Sequence, residues 1–96
     1  MTKADIVADI ATETGLEKTE VLRAVEAFMV SIKTSLAQGN NVYLRGFGSF
    51  IIKERAQKTG RNISQKTTVI IPAHNIPSFK PAKTFVEKIK TEVKVG

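Results

Sequence analysis

Residues Gly46 to Arg61 read Gly-Phe-Gly-Ser-Phe-Ile-Ile-Lys-Glu-Arg-Ala-Gln-Lys-Thr-Gly-Arg. A glycine-bracketed aromatic opens a stretch that alternates like a strand in its first half. Its far half is basic and nearly free of acid. The bias continues downstream: from Arg55 to Lys83 there are six Lys or Arg and no Asp or Glu. A folded core does not require such a run, whereas a polyanionic partner does.

The charge of the whole chain follows the same division. Residues 1–44 carry four basic and six acidic side chains, and residues 45–96 carry eleven basic and three acidic, within a total of +6. Such asymmetry points to a basic working surface on a neutral or slightly acidic scaffold. The alternative, a solubilising surface, usually interleaves both signs. Ninety-six residues with 42% hydrophobic side chains make one small domain, and five Phe, one Tyr and no Trp give it a light core. A light core in a short chain points to self-association. With no Cys there is no disulfide framework and no thiolate chemistry. No apolar run is long enough to span a bilayer, and Met-Thr-Lys-Ala-Asp is not the start of a signal peptide, so a cytoplasmic location is expected.

Upstream of the quoted stretch the period is helical. Thr2, with Asp5 three positions on, approximates a capping box, and Ile6, Ile10 and Ala11 follow at helical spacing up to Gly15. A second helix is expected from Lys18 to about Gln38, with Val21, Leu22, Val25, Phe28, Met29, Ile32 and Leu36 as one broad stripe. At 1.5 Å per residue it is about 30 Å long, more than one short helix can cover, so a second copy of the chain is the expected cover. The period then drops to 2. Val42 and Leu44 alternate with Tyr43 and Arg45, and Phe50 and Ile52 with Ile51 and Lys53, around the Gly46-Phe47-Gly48 turn. Residues 54–68 stay extended but polar, as suits a two-stranded arm. Thr67 to Ile71 form the return strand. Pro72 and Pro77 mark edge positions, and a last helix over residues 82–94 carries Phe85, Ile89 and Val93.

No arrangement supports catalysis. His74 has no Cys or second His beside it for a metal site, and no Ser-His-Asp set has supporting spacing, so neither cofactor nor metal is expected. The acids of the first half read as solvated helix faces, and Phe28, Met29, Phe47, Phe50 and Phe79 as core. The basic residues Arg55, Lys58, Arg61 and Lys66 lie along the arm, where they are read as lining an inner face that reaches phosphates or the floor of a minor groove. Arg61 is the first choice for groove insertion, because guanidinium suits a narrow, electronegative groove. Lys3 and Lys83 each occupy the first turn of a helix, where the dipole favours anions. A docked phosphate explains them better than tolerated repulsion. Lys80 and Arg45, beside Pro81 and the glycine turn, are further candidates.

Together, Gly46-Phe47-Gly48-Ser49-Phe50, Arg55, Gly60-Arg61-Asn62, Ile71-Pro72, Ile76-Pro77 and Phe79-Lys80 resemble the HU/integration-host-factor group of bacterial DNA-bending proteins, over residues 1 to about 90. The resemblance implies an α+β fold: an intertwined dimer with a helical base (1–39), a three-stranded antiparallel saddle sheet and protruding β-ribbon arms (41–80), and the C-terminal helix. It implies binding and bending of double-stranded DNA through the minor groove with little sequence specificity, in the bacterial nucleoid. This mode of action belongs to the family and is not read from the residues. Two positions depart from the family pattern: Ile63 stands where the family has a wedge proline, and Lys66 where it has a glycine. Ile63 is an apolar wedge of suitable size, although it lacks the preset φ of proline. With Lys53 and Asn62, these residues complete the expected DNA-contacting set. Bent, gapped or kinked DNA is the expected partner, with RNA as a further one, and the dimer is of identical chains or with a paralogue. The rival readings are a binder of structured RNA or junctions that bends nothing, and an assembly protein with acidic partners.

Overall fold

The structure, a computed structural model, describes residues 1–62 and 67–95, so Ile63 and Lys66 lie outside the described residues. The chain divides into two compact units, Met1–Ser35 and Leu36–Gly96.

The first unit is helical. Helix α1 (Lys3–Thr14) starts on the expected capping box: Thr2 Oγ1 accepts from the Asp5 backbone N–H at 3.3 Å, and Asp5 Oδ2 accepts from the Thr2 N–H at 2.8 Å. Two donors that the helix itself cannot satisfy are thereby paired. The helix stops at Gly15, whose φ of 77° suits a residue without Cβ and whose N–H reaches the Ala11 carbonyl at 2.9 Å. Helix α2 (Lys18–Ala37) follows within a residue of its expected limits. Among the described residues only Val7 and Val21 are buried hydrophobics; of the α2 stripe, Val25, Met29, Ile32 and Leu36 are half-buried, and Leu22 and Phe28 are 41% and 50% exposed. The stripe is thus present but only partly covered within one chain, so Phe28 is not core at the level of the single chain.

The second unit is a three-stranded antiparallel sheet, a two-stranded ribbon and a helix. Strands β1 (Val42–Leu44), β2 (Gly48–Arg55) and β5 (His74–Pro81) form the sheet in the order β1-β2-β5, and β3 (Lys58–Asn62) pairs with β4 (Thr67–Ile71) in the ribbon. β5 is an edge strand, which is how it carries Pro77 and Pro81 without breaking a ladder on both sides. Pro72 falls between β4 and β5.

The aromatic residues gather on one face of this sheet. Phe79 lies 5.0 Å from Phe50 and 5.2 Å from Phe47, centroid to centroid, and Phe47 stacks on Phe85 of helix α3 (Lys83–Glu92) at 5.6 Å. The expected core trio is therefore one cluster, although Phe47 and Phe79 remain 47% and 39% exposed in the single chain.

One boundary needs correction. The last helix ends at Glu92, not at residue 94: Val93 is extended (φ −108°, ψ 118°), although its N–H still closes on the Ile89 carbonyl at 3.0 Å. Val93 and Val95, beyond the helix, are 58% and 104% exposed.

Candidate nucleic-acid interface

Strand register sorts the side chains of the second unit. Gly48 pairs with Pro81, Ser49 with Lys80, Ile51 with Ser78, Lys53 with Ile76 and Arg55 with His74, while Tyr43 pairs with Ser49 across β1. Because directly paired residues share a face and successive residues alternate, one face carries Tyr43, Ser49, Ile51, Lys53, Arg55, His74, Ile76, Ser78 and Lys80. The opposite face carries Val42, Leu44, Phe50, Ile52, Pro77 and Phe79, together with Glu54. Three cations thus share one side, and the acid flanked by two of them points to the other. A two-residue period applied to a mixed sequence is enough to produce this separation.

The glycine turn completes the cationic side. The Leu44 carbonyl accepts from the Phe47 N–H at 3.0 Å, and Gly46 takes φ 82°, which turns the chain out of β1 and back into β2. Gly48 serves a different need. A Cβ there would lie 2.6 Å from the Lys80 carbonyl oxygen and 2.6 Å from Phe79 Cζ, so β5 can close on β2 only where no side chain intervenes. The Phe47 carbonyl then accepts from the Ala82 N–H at 2.9 Å, tying the turn to the start of α3. These contacts assemble an open groove whose lining includes Tyr43, Arg45, Ser49, Lys80 and Lys83. Arg45 is far in sequence from Lys80 and Lys83 and lines one groove with them only through the fold. The N-cap of α3 is Ala82, which provides no side-chain hydrogen bond, and the first turn of α3 holds no acid. The free N–H groups and the positive end of this helix therefore open beside three cations.

Among the described residues, Arg45, Lys53, Arg55, Lys58, Lys80 and Lys83 have no ion-pair partner; the two pairs formed are Lys3–Glu26 and Lys88–Glu92. Lys3 thus differs from Lys83. Its ammonium is committed to Glu26 of α2, and the end of α1 already has an anion in Asp5, so the argument that made Lys3 a phosphate ligand loses force. Asp5 itself is held below the ordinary carboxylate range, chiefly by the hydrogen bond from the Thr2 backbone and then by the Thr2 hydroxyl.

In the ribbon Lys58 pairs with Ile71 and Arg61 with Thr68. Asn62 pairs with Thr67 at the end of the described ribbon. His74 is exposed, with Nδ1 2.9 Å from the Pro72 carbonyl, and the described residues contain no cluster of metal-ligating side chains. No helix among them is long and apolar enough to cross a membrane. Tyr43, which the sequence marks only by its alternation with Val42 and Leu44, lies on the cationic face opposite Ser49.

Known proteins of this build are similar over nearly the whole chain. The model of the bacterial DNA-binding protein family matches residues 1–90. DNA-binding protein HU of Thermus thermophilus is 40% identical over 90 residues, covering 94% of this chain and 93% of its own. HU of Geobacillus stearothermophilus is 38% identical over 90 residues, 94% of this chain and 100% of its own. Among solved structures, a chain of an Anabaena HU–DNA cocrystal structure matches with a TM-score of 0.89 at 32% identity, covering 93% of this chain and 97% of that one. HU from Thermotoga maritima gives 0.66 at 26% identity, over 93% and 98%. With the family model and the HU relatives each spanning its two units, this chain belongs to the bacterial DNA-binding protein family that includes HU.

Proposed function

We propose that residues 1–96 act as one architectural module that binds and bends double-stranded DNA with little sequence preference, as a dimer and without enzymatic activity, in the bacterial nucleoid. The observation that carries this reading is the register-driven sorting of charge. Lys53, Arg55 and Lys80 share the sheet face opposite the aromatic cluster, beside a groove lined by Arg45 and Lys83, and none of the five is paired to an acid among the described residues. Unpaired cations on a common face neutralise phosphates and release counterions. The Anabaena HU chain similar to this one was crystallised with DNA, which favours duplex DNA over structured RNA or an acidic protein partner.

The dimer rests on the thinness of the single-chain core. Two buried hydrophobics, Val7 and Val21, do not hold a folded domain, while half-exposed Phe28 and Phe47 are what a second copy would cover. In the dimer, two ribbons would follow the minor groove and Ile63 would wedge a base step at each tip. Bending a short site costs on the order of 1–6 kcal/mol, offset by phosphate contacts on the flanks.

The test is energy transfer between dyes at the ends of a duplex of roughly 35 base pairs, titrated at two salt concentrations. Transfer that rises on binding and weakens with salt is the expected result. Binding without a change in transfer overturns the bending, and no binding at low salt overturns the DNA reading.

A further inference from the structure

Tyr43 is 72% exposed, on the same cross-strand row as Ser49 and Lys80, and it lines the groove that holds Arg45 and Lys83. An aromatic side chain left open on a cationic face covers no core. Its hydroxyl, however, is held. Asn41 Oδ1 accepts from the Ile52 backbone N–H at 3.0 Å, just beyond the last residue that β1 pairs, where that N–H would otherwise lack a partner. This bond decides which way the Asn41 amide faces, because only its oxygen can accept from an N–H. The amide nitrogen is then the atom turned to the phenol, and Asn41 Nδ2 donates to Tyr43 Oη at 3.3 Å. With the phenol oxygen used as an acceptor, its own O–H proton remains free to donate. No described residue accepts it, and the groove it lines also carries Arg45, Lys80 and Lys83, whose charges favour an anion.

We propose that Tyr43 is a DNA-contacting residue whose phenol O–H, oriented by Asn41, donates to a backbone phosphate on the sheet face that also carries Lys80 and Lys53. This rests on the DNA-binding reading above. The Asn41 hydrogen bond polarises the phenol and strengthens it as a donor, as in any chain of hydrogen bonds. The contact is neutral on the protein side, so it adds affinity without releasing a counterion. It thereby differs in kind from every lysine and arginine contact on the same face.

The test compares wild type with Tyr43→Phe, Tyr43→Leu and Lys80→Gln, measuring affinity for one duplex across a salt series together with thermal stability. The phenylalanine variant keeps the ring and loses only the hydroxyl. It should bind about tenfold more weakly at every salt concentration, with an unchanged slope of log affinity against log salt and an unchanged melting temperature. Lys80→Gln should instead lower the magnitude of that slope by about 0.9 per contact. Unchanged affinity for Tyr43→Phe overturns the proposal. So does a loss seen for Tyr43→Leu and not for Tyr43→Phe, because that pattern assigns the effect to ring stacking. If wild type itself fails to bind, the DNA reading has failed and not merely the role of Tyr43.

Discussion

Gly48 lies against Phe79 so closely that an added Cβ would stand 2.6 Å from the ring's Cζ and 2.7 Å from its Cε1. The carbonyl of Lys80 blocks the same space, and being backbone it cannot swing aside. Gly48→Ala should therefore cost about 1–3 kcal/mol in urea denaturation, as overpacking does. Gly46→Ala should cost about 1–2 kcal/mol for another reason, since its space is open but its φ is 82°. Gly60 meets only the Val69 carbonyl, at 3.8 Å, and Gly60→Ala should stay within about 0.5 kcal/mol. A Gly48→Ala protein as stable as wild type would disprove the close approach of β5 to β2.

The sorted charges predict a graded salt response. Lys53→Gln, Arg55→Gln and Lys83→Gln should each reduce the magnitude of the salt slope of DNA binding by about 0.9 per phosphate contact. Lys88→Gln should leave it unchanged, because Lys88 is paired with Glu92 at 3.6 Å within α3. Equal slopes for all four variants would remove the sheet face from the interface.

Lys3 and Lys83 begin their helices alike and should behave differently. Lys3 is paired to Glu26, both side chains being about half exposed (51% and 46%), so Lys3→Gln should change the salt slope less than Lys83→Gln. Its effect on stability should stay below about 1 kcal/mol, as for other exposed pairs. A larger slope change for Lys3→Gln than for Lys83→Gln would contradict this ranking.

The cap of α1 gives a pH dependence of known sign. The Asp5 carboxyl titrates below its ordinary value in the folded chain, because its charged form accepts from Thr2. Its contribution is therefore complete above the unfolded value, near 3.9, and is lost as pH falls through the lower folded value. Melting temperature followed from pH 5 to pH 2 should show this step in wild type and lack it in Asp5→Asn. Thr2→Ala should cost about 1 kcal/mol at neutral pH, as loss of an N-cap does.

Self-association should appear as a melting temperature that rises with protein concentration. Phe28→Ala should weaken it, since Phe28 is 50% exposed on the α2 stripe, where the proposed second copy would cover it. A concentration-independent transition at half the cooperative size would show that one chain folds alone.

Local and periodic features were legible in the sequence, because each is decided by near neighbours. Thr2 and Asp5 form a capping box three residues apart, Gly15 stops a helix through its own φ, and parity along β2 assigns Lys53 and Arg55 to one side and Glu54 to the other. The end of α3 was not legible, because Val93 continues the helical spacing of Phe85 and Ile89 in the sequence and yet is extended and 58% exposed in the folded chain. The grouping of Arg45, Lys80 and Lys83 was likewise decided by tertiary structure, since it depends on β5 closing over Gly48 and on Ala82 bonding to Phe47. The same holds for Lys3, whose partner Glu26 lies on another helix, and for Tyr43, whose hydroxyl is aimed through Asn41 by an N–H on a neighbouring strand. Periodicity reports which face a residue takes within its own element. Which residues of different elements meet is decided by register and close approach, and those are properties of the folded chain.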